Sequence, residues 1–381
     1  MRVLIHSNGP HVPTGYGKQA GYLGRILRDH GYEVTFSAFY GVSGAPLKWK
    51  GFTVLPAGTA DFGADVLVGH AIETKSDVVI TLMDHWKITG IAADLRNLPF
   101  KIFPWVPVDC SPLGRGDAVF LGLSQATPIA MTRWGYEQLT DMGLPGYYAP
   151  HCYDGSVMRP PTADERAATR AAFGLDGKFA VGICAANRDA MRKGFAEQFG
   201  AFARFAAHDP SAVLLIHAMA SPPGGLNLAQ MAEDFDIADR VTFSGQYEQV
   251  TGTYTETEMA AWFGALDVLS ACSYGEGFGV PVVESQACGT PVIATAGTAT
   301  DELVHKGWKV KGSRFWNPIH RAWWVRPDED AIYRAYRSAR ELAESRRGAA
   351  VGHVAPYEFE HVKANVWPAV LDDIAKAVDR A

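Results

Sequence analysis

Two glutamates separated by seven residues stand in the run Gly275-Glu276-Gly277-Phe278-Gly279-Val280-Pro281-Val282-Val283-Glu284, directly after the apolar stretch Val268 to Ala271. An ionised carboxylate only accepts hydrogen bonds, and a vicinal diol can set two hydroxyl donors on one such group. Gly277 and Gly279 let the backbone come close to a ligand, and Pro281 suits the first turn of a helix. The loop therefore feeds a helix whose first amides can meet a diphosphate. Glu276 lies in that loop and Glu284 one to two turns into the helix. The economical assignment puts Glu276 on a hexose and Glu284 on a ribose.

A second cluster lies earlier, in Ala186-Asn187-Arg188-Asp189-Ala190-Met191-Arg192-Lys193-Gly194, at a strand-to-helix junction. Arg188 can fork onto phosphate oxygens and Lys193 can add a point charge, the pairing suited to a diphosphate leaving group. Arg192 reads as the one of the three that is merely exposed. Two further polar groups end buried strands in the first half of the chain. Thr81-Leu82-Met83-Asp84-His85-Trp86 offers Asp84 or His85 to orient a sugar or a hydroxyl acceptor, and Pro107-Val108-Asp109-Cys110 offers Asp109 to bind an acceptor or to hold His85. Trp86, Trp49 and Tyr40 could stack on a sugar ring or cover a lipid.

These residues need a scaffold that presents strand ends. Val3 to His6 reads as a strand, Thr14-Gly15-Tyr16-Gly17 as a glycine loop, Lys18 to His30 as an amphipathic helix and Glu33 to Phe39 as the next strand. Apolar runs at 66–68, 78–82, 101–106 and 119–123 suit further buried parallel strands. After the proline-bearing stretch 158–162 the grammar restarts, with strands expected at 179–185, 212–217, 241–244, 268–271 and 291–294 and helices at 163–173, 194–208 and 256–263. The expectation is an α/β chain of two Rossmann-like doubly wound domains, 1–160 and 161–355. The segment 356–381 has helical spacing interrupted by Pro368 and is long enough to pack back on the first domain.

The signature Glu276-Gly277-Phe278-Gly279-Val280-Pro281-x-x-Glu284, followed by Ala287-x-Gly289-x-Pro291-Val292-Ile293-Ala294, resembles that of the retaining GT-B glycosyltransferases of family 4. The resemblance implies a GT-B fold with two domains facing a central cleft. It implies hexose transfer from a nucleotide diphosphate sugar, a UDP- or GDP-sugar rather than an ADP-sugar, with retention at the anomeric carbon and front-face attack. Arg188 and Lys193 then resemble the pair that binds the donor diphosphate, and Gly15-Tyr16-Gly17 the loop that lies over it. Ser244 to Tyr247 would border the nucleobase. The segment from Thr81 to Gly90 is similar to a family stretch in which a histidine stands at the position of Met83. That departure leaves open a binding subunit without transfer, and a nucleotide-sugar epimerase or a phosphorylase on the same fold is a third reading.

Composition narrows the remaining classes. A net charge of −6 over 381 residues argues against a nucleic-acid protein. Hydrophobic residues at 48% and charged residues at 20% describe an ordinary globular chain. Five cysteines without a CxxC pair read as reduced core residues, and a cytoplasmic location is expected. Peripheral membrane contact, the acceptor and the oligomeric state stay open. Asp234/Asp236 and Asp328/Asp330 have the spacing of a metal-binding pair but follow no buried strand, so no essential metal or other cofactor is expected. The arginines at 334, 337, 340, 346 and 347 read as a solvated helix face.

Overall fold

The computed structural model describes residues 1–379. The chain forms two compact units: Met1–Cys152 with Asn317–Ala322 and the C-terminal residues from Phe359, and Tyr153–Trp316 with Trp323–Glu358. Among the described residues no helix is long and apolar enough to cross a membrane.

The first unit is built on eight strands, β1 (Arg2–Asn8), β2 (Glu33–Tyr40), β3 (Leu47–Trp49), β4 (Phe52–Leu55), β5 (Val78–Leu82), β6 (Lys101–Val106), β7 (Ile129–Ala130) and β8 (Tyr147–Tyr148). Their order is β3-β4-β2-β1-β5-β6-β7-β8, with only the β3–β4 pair antiparallel among those described. Val3, Leu4 and Ile5 are buried, and Ile5 sits between Phe36 and Ile80 in register, as a continuous apolar strand buried on both faces requires. The helix Gly15–Asp29 starts where the Thr14 hydroxyl accepts from the Gly17 amide at 3.0 Å, and it buries Tyr22, Leu23, Ile26 and Leu27 at helical spacing.

Two expected strands are helices instead. Val66 precedes the helix Leu67–Glu73, and 119–123 falls within the helix Arg115–Ser124. Short apolar runs suit a buried helix face as well as a strand, and here the sheet-covering role prevails. The C-terminal segment forms the helices Phe359–Asn365 and Trp367–Asp379. Pro368 opens the second helix rather than interrupting one, because a first-turn residue has no amide to lose. Trp367 meets Trp105 of β6 edge-on at 5.5 Å, and Arg25 lies 4.1 Å over the Phe359 ring.

The second unit repeats the scheme with β9 (Phe179–Cys184), β10 (Ala212–His217), β11 (Val241–Phe243), β12 (Val268–Ala271), β13 (Val292–Thr295) and β14 (Trp308–Val310), all parallel and ordered β11-β10-β9-β12-β13-β14. The helix Phe195–Ala206 covers this sheet with Phe195, Phe199, Phe202 and Phe205, packed with Tyr336 of the helix Glu329–Arg346. A hairpin unforeseen in the sequence, β15 (Gly312–Asn317) and β16 (Ala322–Pro327), sets Phe315 and Trp324 against Tyr274. Arg347 is not on a solvated face: it is mostly buried and donates to the carbonyls of Gly264 and Leu266 and to the Thr290 hydroxyl. Five described cysteines are free thiols, four of them buried.

The order of the parallel strands reverses at β1/β5 in the first unit and at β9/β12 in the second. At such a reversal the loops leaving the two strands diverge to opposite faces and open a crevice at the carboxyl edge. Replacing Trp367 by alanine removes a fully buried side chain from the first unit and is expected to lower unfolding free energy by about 3–5 kcal/mol. Urea denaturation followed by tryptophan fluorescence checks this.

Candidate donor and acceptor sites

In the second unit the loops after β9 and β12 run into backbone contact. The Tyr274 amide donates to the Arg192 carbonyl at 2.7 Å, and Gly194 lies so close to the Cys272 carbonyl that a Cβ there would stand 2.3 Å from its oxygen. Gly194 also has φ of +58°, so a glycine is required twice over. Buried Gln198 ties the same loops, donating to the Lys193 carbonyl at 2.8 Å and accepting from the Cys272 amide at 3.5 Å. Its neighbour Glu197 accepts from the Tyr274 hydroxyl at 2.6 Å and from Arg326 at 2.8 Å.

This scaffold brings Glu276 to Lys193. The Lys193 ammonium donates to Oε1 at 2.5 Å, Ser273 donates to the same oxygen at 2.6 Å and Arg192 donates to Oε2 at 3.2 Å. The side chains of Lys193 and Glu276 are only 11% and 16% exposed, so water screens the pair poorly. Burial opposes ionisation of Glu276, but Lys193 and Arg192 outweigh it and hold the carboxyl at about 2. Burial, with Arg192 alongside, draws the Lys193 ammonium downward. Arg192, expected to be merely exposed, is thus the half-buried arginine that reaches the carboxylate, whereas Arg188 is exposed at the start of the loop. The Asp189 carboxylate fixes this outcome locally by accepting from the Met191 and Arg192 amides.

The helix Val280–Ala287 follows with Pro281 in its first turn and Gly279 capping it at φ of +106°. A side chain at Gly279 would approach Thr300 to 2.9 Å. Glu284 is buried on the second turn, and Phe278 packs edge-on against Tyr357. Gly277 and Val280 are half-buried on either side. At the end of β11, Ser244 sits 3.1 Å from the ring of His217, while Tyr247 is 75% exposed. Gln246 braces this edge, accepting from the Ala220 amide and donating to the Ala218 and Ser244 carbonyls. Of the acid pairs, Asp328 caps the helix Glu329–Arg346 and Asp330 pairs with Arg204. Among the described residues no group of three or more metal-ligating side chains is arranged around a metal site.

In the first unit the reversal between β1 and β5 places Tyr16 against Asp84, with the phenol donating to Oδ1 at 3.0 Å. Gly17 lets the loop fold tightly, since a Cβ would stand 2.4 Å from the Val12 carbonyl oxygen, while Gly15 faces open space. Trp86 is half-buried; its amide donates to Asp117 at 3.1 Å and its ring meets His320 edge-on at 5.3 Å. Asp117 is buried, and burial with nearby Asp109 and Asp84 pushes its carboxyl well above the usual range. Asp84, Asp109 and Asp117 therefore share one edge of the sheet. A strand over 119–123 would leave Asp117 in a loop, whereas the helix Arg115–Ser124 brings its carboxylate to the Trp86 amide.

One expected site residue is displaced. His85 turns into the core, fully buried against Phe120, with Nε2 bonded to the Thr81 hydroxyl at 2.8 Å and no partner for Nδ1 among the described residues. It is therefore not available to orient a sugar or an acceptor, and Asp109 does not hold it. Trp49, too, is a packing residue, stacked on Phe52 and edge-on to Phe36.

Burial pushes His85 and His151 down to about 3 and His6 and His217 down to about 4. In the unfolded chain each takes a proton below about pH 6.5, so the folded state loses stability as pH falls from there toward 4, by up to about 1.4 kcal/mol per histidine and pH unit. Urea midpoints measured at pH 7.5 and pH 5 should show the drop. A double-mutant cycle on Lys193→Ala and Glu276→Ala should return a coupling of about 1 kcal/mol or more, because either single change strands a buried charge.

Comparison with known proteins follows the same division. Residues 180–338 match the family model for glycosyl transferases group 1. D-inositol 3-phosphate glycosyltransferase of Mycobacterium leprae is 32% identical over 161 residues, 42% of this chain and 33% of its own length. That of Mycobacterium marinum is 45% identical over 78 residues, 20% of this chain and 15% of its own length. The chain thus spans between 15% and 33% of the length of these curated relatives. The solved sucrose-phosphate synthase of Thermosynechococcus elongatus superposes with a TM-score of 0.72 at 16% identity, covering 100% of this chain and 98% of that one. Anabaena HepE in complex with UDP and glucose gives 0.69 at 16% identity, with 100% of each chain covered. At such identities the likeness concerns the fold. Residues 180–338 are thus similar to the group 1 glycosyl transferases, and the chain as a whole has the GT-B fold of two Rossmann-like domains.

Proposed function

We propose that this protein is a retaining glycosyltransferase that moves a hexose from a nucleotide diphosphate sugar to a hydroxyl acceptor without a metal ion. The observation that carries the reading is the Glu276 carboxylate held beside Lys193 and Arg192 at the β9/β12 reversal. Cations at that point can meet the charge that develops on a departing diphosphate, which is the role a metal would otherwise fill. Glu276 accepts hydroxyls of the hexose, Glu284 those of the ribose, and Gly277 to Val280 line the approach. Arg188 joins the diphosphate from the exposed end of its loop. Ser244 and Tyr247 border the base. Within the first unit, Asp84, Trp86 and Asp109 contribute to acceptor binding. With no added nucleophile in this scheme, the leaving diphosphate serves as base on the face it departs from, which retains configuration.

The nucleotide reading is supported by HepE, whose structures hold UDP and UDP-glucose. The acceptor is a hydroxyl compound: an envelope glycan, a glycolipid, a small molecule or a protein. A second reading, donor binding without transfer, draws on Met83 and His85: both are fully buried, so no histidine of that segment faces a ligand.

Thermal-shift measurements with UDP-, GDP- and ADP-hexoses should show stabilisation by UDP- or GDP-sugars. Glu276→Ala should lower turnover by about 10²-fold or more in protein that circular dichroism shows to be folded. NMR of the product should show retained anomeric configuration, and a chelator should not change the rate. Stabilisation by a donor without hydrolysis or transfer to any acceptor would favour the second reading.

A further inference from the structure

The two cations that could receive a diphosphate already have a partner. Glu276 takes Lys193 on one oxygen and Arg192 on the other, and Ser273 steadies it from its own loop. All these groups are at least two-thirds buried, with the Arg192 side chain the most exposed at 28%. A diphosphate that takes the Lys193 and Arg192 donors now given to Glu276 therefore competes with the carboxylate for them. A carboxylate displaced in place, buried and short of donors, is costly. Sugar hydroxyls are the donors that would offset that cost, since each O–H can be given to a carboxylate oxygen.

We propose that the Arg192–Lys193–Glu276 ion pair makes the site select the intact nucleotide sugar over the bare nucleoside diphosphate by exchange of partners. A nucleotide sugar exchanges both sides at once: phosphate oxygens take the cations, and hexose hydroxyls take Glu276. A nucleoside diphosphate exchanges only one side and leaves Glu276 without donors. The same asymmetry expels the spent nucleotide, because once the hexose has left, Glu276 again competes for Lys193 and Arg192. Arg192 becomes a specificity-determining residue in this scheme, and no bond is made or broken in the exchange.

The inference rests on the nucleotide-sugar reading of the site, and the test separates the two. Isothermal titration calorimetry is run on the full chain with UDP, GDP, ADP and their glucose or mannose conjugates, for the wild type, Glu276→Gln and Glu276→Ala. Glutamine keeps the size of the side chain and removes the competing charge; alanine removes both, and either variant that folds suffices. The wild type should bind one nucleotide sugar more tightly than its nucleoside diphosphate. Both variants should bind that nucleoside diphosphate about tenfold more tightly than the wild type and should lose the preference for the conjugate. If the variants bind the nucleoside diphosphate no better than the wild type, the exchange is overturned while the donor site stands. If the wild type binds none of these nucleotides or conjugates, both readings fall.

Discussion

A carboxylate shared between two cations in a poorly hydrated loop junction is the interaction on which the proposed chemistry of the second unit depends. Lys193, Arg192 and Glu276 come from segments more than eighty residues apart, and each would be costly to bury alone. Their meeting is secured by neutral structure: Gly194 gives way to the Cys272 carbonyl, the Tyr274 amide bonds the Arg192 carbonyl, and Gln198 holds both loops from the helix beneath. The charges are thus placed by backbone geometry rather than by their own attraction, which suits the proposed exchange of partners.

The first unit solves the positioning problem with acids instead. Its strand reversal gathers Asp84, Asp109 and Asp117, and Tyr16 and the Trp86 amide supply donors to two of them. Burial and the neighbouring Asp109 and Asp84 push the Asp117 carboxyl well above the usual range. His85 lies one residue from Asp84 but on the other side of the chain, packed on Phe120. A one-residue step along an extended or 3₁₀ segment is enough to exchange a solvent-facing side chain for a core one.

The two units therefore share an architecture and differ in charge. Both have a reversal in the order of their parallel strands, and in both polar residues cluster at the carboxyl edge of that reversal. One cluster is cationic around a single carboxylate, and the other is acidic around a phenol. Family resemblance is concentrated where the cations are, in residues 180–338, and the acid cluster lies outside that match.

Sequence by itself determined the strands from 179 to 217 and from 268 to 294, because fully buried parallel strands leave unbroken apolar runs between polar loops. It also determined that Glu276 and Glu284 flank one loop-to-helix turn, since Gly279 and Pro281 admit little else there. Local pattern could not decide between strand and helix for the short apolar runs at 66–68 and 119–123, and with the second of these it lost Asp117. Nor could it tell which arginine of Arg188 and Arg192 faces inward, or that His85 is core and Asp84 is not. Those outcomes turn on loops that touch across long sequence separations, as at Tyr274 and Arg192, and on which side of a short 3₁₀ turn the sheet lies. Spacing along the chain carries no term for such contacts, so only the tertiary structure could assign them.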